Sequence, residues 1–209
     1  MEKYKNKYRI KSNRLKGWSY ANNGLYFITI CTQNRECNLG FIENNEILLS
    51  DFGKIVNKEW YKSFDIRDEL FLDEYILMPN HLHAIVELAN NDVDIDGEKT
   101  VGRTMVDGAM VETNGRSSLP QMPECQPKSI SSFISGFKSA VNSKIDDYID
   151  AHHLKIPKYN RKNHFFQPNY HDHIIRNNTS YQNIKNYIIN NPKKWEADTF
   201  NPKNPNSDK

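Results

Sequence analysis

The stretch ELFLDEYILMPNHLHAIVEL, residues 69–88, decides how this chain folds. Glu69 to Met78 is aliphatic and aromatic and reads as a strand. Pro79-Asn80 is a turn signal. His81 to Leu88 reads as a second strand, antiparallel to the first if the turn is tight. Side chains on a strand alternate between faces. His81 and His83 therefore point one way, and Leu82 points into the opposite layer.

Upstream, Gly24 to Thr32 (GLYFITICT) is β-branched and aromatic and long enough for a buried strand. Gly40 to Leu49 places Asn44-Asn45 between two apolar runs, which predicts a hairpin turning at the asparagines. Ser50 is a good N-cap for a helix from about Asp51 to Phe64, with Phe52, Ile55, Val56, Trp60 and Phe64 at helical spacing. Downstream, residues 89–127 carry scattered acidic residues, glycines and prolines without a period, and read as an acidic, flexible insertion. Helical spacing returns after Ser129, from Ile130 to about Ala151. A basic, histidine-rich connection follows over 152–164, and then Phe165-Phe166-Gln167 as a short edge strand. A last helix begins near Thr179, with Gln182 completing a capping box, a core stripe of Tyr181, Ile184 and Ile188, and a stop at Asn191-Pro192. The expected architecture is α+β: a ferredoxin-like antiparallel sheet with helices packed on one face.

The 209 residues suit one domain with an insertion. The expected division is a basic N-terminal arm (1–20), a catalytic domain (21–195) holding the insertion, and a polar tail (196–209). Lys and Arg (28) nearly balance Asp and Glu (26), leaving +2, which excludes a histone-like polycation but not a local basic patch. The arm interleaves cations and rings, among them Arg9, Arg14, Lys16 and Trp18. It is equally a nucleic-acid arm, in which cations meet phosphates and rings meet bases, or a solvated tail. No run of about 18 apolar residues exists, so no transmembrane helix is expected, and the polar N-terminus is not a secretory signal. The 3 cysteines, without a CxxC, read as reduced thiols of a cytoplasmic protein.

Two imidazoles spaced as His81 and His83 can ligate one divalent cation, although strand histidines are more often surface residues. On the last helix Tyr187 and Asn191 lie four apart and share a face. A phenol there could be a nucleophile and an amide oxygen a third metal ligand. The plainer alternative is a core-margin tyrosine and an asparagine stopping a helix before proline.

Taken together, these segments resemble the HUH single-tyrosine (IS200-like) transposases. MPNHLHAIV (78–86) is similar to their His-hydrophobic-His core. FFQPNYHDHIIRN (165–177) and YIINNP (187–192) are similar to the C-terminal signature of the REP-associated tyrosine transposase branch. LYFITICTQNR (25–35) and ISSFISGFKSAVNSKI (130–145) also look familial. The resemblance implies cleavage and rejoining of single-stranded or hairpin DNA through a 5′-phosphotyrosine link. It implies Tyr187 as the catalytic nucleophile, and His81, His83 and Asn191 as ligands of Mg²⁺ or Mn²⁺. Related insertion-sequence enzymes usually carry Gln where this chain has Asn191, and the shorter side chain requires a closer approach of helix to strand. Monomer and homodimer both stay open.

Tyr170 is the rival nucleophile, flanked by His171 and His173, but position +4 from it is Ile174, which cannot ligate. Tyr170, His173 and Arg176 are expected to support the site or contact DNA, as are Arg9, Arg14, Lys16, Arg161 and Lys162. Two alternatives to a strand-transfer enzyme are a nucleic-acid binder that keeps the fold without cleavage, and a metal-dependent phosphodiester hydrolase drawing on Asp73 or Glu74. A relaxase or replication initiator ranks lower, because such proteins tend to be larger.

Overall fold

The computed structural model describes residues 3–4, 7–8, 15, 17–90, 126–160 and 162–204. In chain order the strands and helices are β1 (Lys3–Tyr4), β2 (Lys7–Tyr8), β3 (Gly24–Cys31), β4 (Gly40–Glu43), β5 (Glu46–Leu49), α1 (Asp51–Asp65), β6 (Leu70–Leu77), β7 (His81–Leu88), α2 (Ile130–Ala151), β8 (His171–Ile175) and α3 (Asn178–Asn190). Short 3-10 turns cover Gln33–Arg35 and Pro192–Ala197. The insertion read over 89–127 lies, from residue 91 to 125, outside the described residues. Among the described residues no helix is long and apolar enough to cross a membrane.

The main sheet has the order β6-β7-β3-β8, every neighbour antiparallel. Its core path is β3-α1-β6-β7-α2-β8, the split βαβ arrangement of ferredoxin-like folds. The β4–β5 hairpin is inserted before α1. Asn44 (φ 51°) and Asn45 (φ 65°) both take left-handed backbone there, as a two-residue hairpin turn demands. Ser50 caps α1 by accepting the Gly53 amide at 3.0 Å. Gly53 has no substitute in place, because a Cβ on it would meet the Leu39 carbonyl oxygen at 1.9 Å.

The two long helices cover one face of the sheet. Tyr26, Ile28 and Ile30 of β3 and Leu82, Ala84 and Val86 of β7 are buried there against Val56, Trp60, Phe133, Phe137 and Val141. Trp60 is the hub, 5.3 Å from the Tyr75 and Phe133 rings and 5.0 Å from Phe137.

The α+β class and the antiparallel sheet are as the sequence predicts, and five local expectations differ. α3 packs on the opposite face from α1 and α2, where Ile188 meets Ile85 and Ile175. The fourth strand is His171–Ile175; Phe165 and Phe166 are instead buried core residues, Phe166 forming only an isolated bridge to Thr32. α3 is capped by Asn177, whose side chain accepts the Ser180 amide at 2.8 Å, two residues before the predicted box. The chain past Ala197 folds back: Asn201 and Asn204 are buried, and each donates its side-chain amide to a carbonyl of the preceding turn. At the other end Tyr20 is buried and the Trp18 indole donates to the Tyr26 hydroxyl, so the arm read over 1–20 enters the core before it ends.

Candidate active site

β7 is a central strand, and its alternation sends Leu82 into the α1–α2 core while His81 and His83 face α3. Both imidazoles are buried, with ring centroids 4.5 Å apart. His81 is oriented by Asn80, whose side-chain nitrogen donates to the carbonyls of Arg35 (2.9 Å) and Phe200 (2.7 Å). The Asn80 oxygen is then an acceptor, so His81 Nδ1 carries the proton across their 2.8 Å contact. His81 Nε2 is left as a bare lone pair, buried and without a partner among the described residues.

His83 Nδ1 lies 2.8 Å from the Thr29 hydroxyl, and His83 Nε2 lies 3.1 Å from the Tyr187 hydroxyl. Phe27 stacks on His83 at 5.3 Å and meets the Tyr187 ring edge-on at 6.2 Å. Burial above all, then the charge of His171, pushes His83 down to about 3. His81 is held well below its usual range by burial, then by the neighbouring His83 and Arg35 charges. Both rings therefore stand neutral at physiological pH, with lone pairs to offer. The Tyr187 phenol is pushed up, first by burial and then by the charge of Asp198, so it keeps its proton unless a neighbour takes it.

Asn191 ends α3. It is 2% exposed, acts on the Tyr187 and Asp198 side chains, and leaves its side-chain oxygen buried without a partner among the described residues. Asp198 is fixed by the Phe200 amide at 2.7 Å. The Phe200 ring sits 4.7 Å from His81 and covers it. The Arg35 guanidinium donates to the Thr199 carbonyl at 3.0 Å and lies over the Phe200 ring. A cavity of about 470 Å³ opens beside Tyr187 and His83, walled by Phe27, Phe200 and Tyr170. A second groove of about 570 Å³ runs past His171 and His173 to Asn177 and Ser180 at the start of α3.

The predicted residues are thus sorted by place. His81, His83, Tyr187 and Asn191 converge. Tyr170 shares the cavity, and its hydroxyl lies 3.2 Å from the Ser131 hydroxyl on α2. His173 lines the second groove opposite Phe27 in the strand register, and Arg176 is exposed just beyond β8. Lys162 is exposed on the connection after α2, and Lys158 there is paired with Asp150. Arg9, Arg14, Lys16 and Arg161 lie outside the described residues. Asp73 and Glu74 are tied to Lys185 at 2.8 and 3.7 Å, on the helix rather than at the histidines. Sequence reading missed Thr29, Asn80, Asp198 and Phe200. Asn80 carried a signal, since it directly precedes the histidines; the others become neighbours only through folding.

Two neutral imidazoles and an amide oxygen form a donor set that suits a divalent cation. The buried, partnerless His81 Nε2 and Asn191 oxygen are the atoms such an ion would satisfy. Among the described residues no three His, Cys, Asp or Glu side chains cluster to hold a metal, so the set depends on the amide.

Fold and site together define a ferredoxin-like α+β protein whose sheet holds a buried histidine pair against a helix-borne tyrosine. No protein-family profile matches the chain. It is 35% identical over 191 residues to a Haemophilus influenzae protein described as uncharacterized, covering 90% of this chain and 91% of that one. The chain belongs to the family of that protein. Among solved structures it is similar to a REP-associated tyrosine transposase bound to a REP hairpin (TM-score 0.49, 18% identity, 90% of this chain and 74% of the other). A crystal structure from Deinococcus radiodurans is similar with TM-score 0.38 and 17% identity over 87% of this chain and 97% of the other.

Proposed function

We propose that this chain is a transposase-type enzyme that cuts and rejoins single-stranded DNA, including hairpin-bearing strands, with Tyr187 as the nucleophile. The observation that carries the reading is the Tyr187 hydroxyl 3.1 Å from His83 Nε2, beside two buried lone-pair atoms, His81 Nε2 and the Asn191 oxygen, without a partner among the described residues. A plain nucleic-acid binder has no use for orphaned acceptors in a dry layer, which are destabilising by about 1–3 kcal/mol each. A hydrolase would want a carboxylate to activate water, and Asp73 and Glu74 are engaged with Lys185.

In this reading the phenol oxygen attacks phosphorus and loses its proton. The 3′-oxygen leaves and takes up a proton, and the 5′-phosphate stays on Tyr187. The reverse attack by a 3′-hydroxyl restores the phosphodiester without an outside energy source, because the aryl phosphate keeps the bond energy. Asn80 and Thr29 hold the two rings in place, and the His83 Nε2 that meets the phenol is the nitrogen that would turn to a bound cation, so the phenolic proton would pass to solvent in the cavity. A Mg²⁺ or Mn²⁺ held by His81, His83 and Asn191 would screen the phosphate charge and polarise phosphorus. All four residues come from one chain, so one subunit completes the site. The protein would work on DNA in the cytoplasm.

The test is incubation with hairpin-bearing single-stranded DNA and Mn²⁺, followed by a denaturing gel. The wild-type protein and Tyr170→Phe should form a covalent adduct, and Tyr187→Phe or added EDTA should abolish it. An adduct that survives Tyr187→Phe and vanishes with Tyr170→Phe would overturn the assignment.

A further inference from the structure

The loop between Phe166 and β8, residues 167–170, borders the cavity beside Tyr187, and the chemistry above leaves most of it unused. Gln167 and Asn169 line that cavity, and nothing among the described residues hydrogen-bonds to either side-chain amide. Their backbone is gripped. The Lys138 ammonium of α2 donates to the carbonyls of Gln167 (2.7 Å), Pro168 (3.3 Å) and Asn169 (3.2 Å). The Gln167 amide also bonds the Cys31 carbonyl at 2.9 Å, beside the sheet. Burial pushes Lys138 down to about 8, so a desolvated cation is kept under this loop to hold three successive carbonyls. The result is a rigid rim with two uncommitted amides and three aromatic walls, Phe27, Tyr170 and Phe200.

A side-chain amide offers a donor and an acceptor side by side, which matches the edge of a nucleobase. Aromatic walls take the face of an unstacked base with little regard to its identity. The volume, about 470 Å³, is in the range of small-ligand sites. We propose that this cavity holds an unpaired nucleobase next to the scissile phosphate, and that Gln167 and Asn169 read its edge. Lys138 acts through the loop, as a positioning residue. The inference rests on Tyr187 as nucleophile, because a strand joined at Tyr187, which lines this cavity, brings its neighbouring base here.

The experiment uses the full chain and a pool of single-stranded oligodeoxynucleotides randomised around the cut site, with Mn²⁺, and sequences the covalently captured strands. Wild type should show a preference of roughly tenfold for one base within two nucleotides of the linked phosphate, the size a pair of amide–base hydrogen bonds supplies. Gln167→Ala and Asn169→Leu should flatten that one position and leave the others as they are. Lys138→Met should blur the same position while Tyr187 still forms adduct. A second arm measures affinity of the Tyr187→Phe protein for an oligonucleotide abasic at that position, which should bind several-fold more weakly. Adduct with an unchanged preference in the Gln167→Ala/Asn169→Leu double variant would overturn the inference alone. Absence of adduct from wild type would overturn the nucleophile assignment and this inference with it.

Discussion

The two faces of the sheet are made from the same strands and do opposite work. On β7, Leu82, Ala84 and Val86 enter a dry, aromatic layer around Trp60, with every large ring in contact with another. One residue out of phase, His81 and His83 enter a thinner layer under α3 that is equally buried yet polar. The first face is mostly ring and aliphatic packing, which stabilises the fold, and its two polar atoms without a partner among the described residues, Trp60 Nε1 and the Tyr75 hydroxyl, are donors sealed among those rings. The second buries two lone-pair atoms without partners among the described residues, on His81 and Asn191, in the layer whose His83 and Tyr187 border a cavity. Strand alternation thus separates stability from chemistry by a single residue, and a one-residue register slip in β7 would exchange them.

That separation can be tested by injuring each face alone. Tyr187→Phe on the α3 face should lower adduct formation by about a thousandfold or more if Tyr187 is the nucleophile, as proposed. Its thermal midpoint should move only about 2–4 °C, the effect of one hydrogen bond in a chain of this size. Trp60→Ala on the other face should lower unfolding free energy by about 3–5 kcal/mol in denaturant titration. Adduct yield per folded molecule should be unchanged; a specific loss there would mean that the faces are coupled. Asn80→Asp strikes between them. A carboxylate cannot donate to the Arg35 and Phe200 carbonyls, so stability should fall by about 1–3 kcal/mol. Mn²⁺ affinity, read by calorimetry, should fall about tenfold or more as His81 loses its orientation. Ser50→Ala is the mildest, removing the α1 cap for about 1 kcal/mol with no effect on adduct.

The sequence reveals the all-apolar half of the molecule most clearly. β7 is found where its alternation places it, and α2 spans Ile130–Ala151, where helical spacing returns. β8 was hidden because it is an edge strand with a wet face: His171, Asp172 and His173 break any hydrophobic run, and only Ile175 is buried. Two expectations were in conflict from the outset. If Leu82 points toward the helices and the histidines away from them, then Tyr187 can meet His83 only from a helix on the far side. The site pattern therefore already demanded that α3 cross over, and a one-face packing could not accommodate it. Helical amphipathicity reports that a stripe is buried, not which side of a sheet buries it. Asp198 and Phe200 were illegible for another reason, being brought to His81 by a turn of Asn and Pro residues without apolar periodicity.

At the far end of the sheet from His81, roughly 23 Å along β7 at the usual rise per residue, Asn90 holds the chain together. Its side chain donates to the carbonyls of Ala21 (2.8 Å) and Lys128 (3.1 Å), and its own amide is bound by Asn23. The exit of one segment and the entry of the next are thus stapled within a single side chain's reach. Whatever is spliced between those two points, short or long, begins and ends at one fixed doorway remote from the chemistry. A segment exchanged at this junction is expected to leave the layer around His81 and Tyr187 as it is.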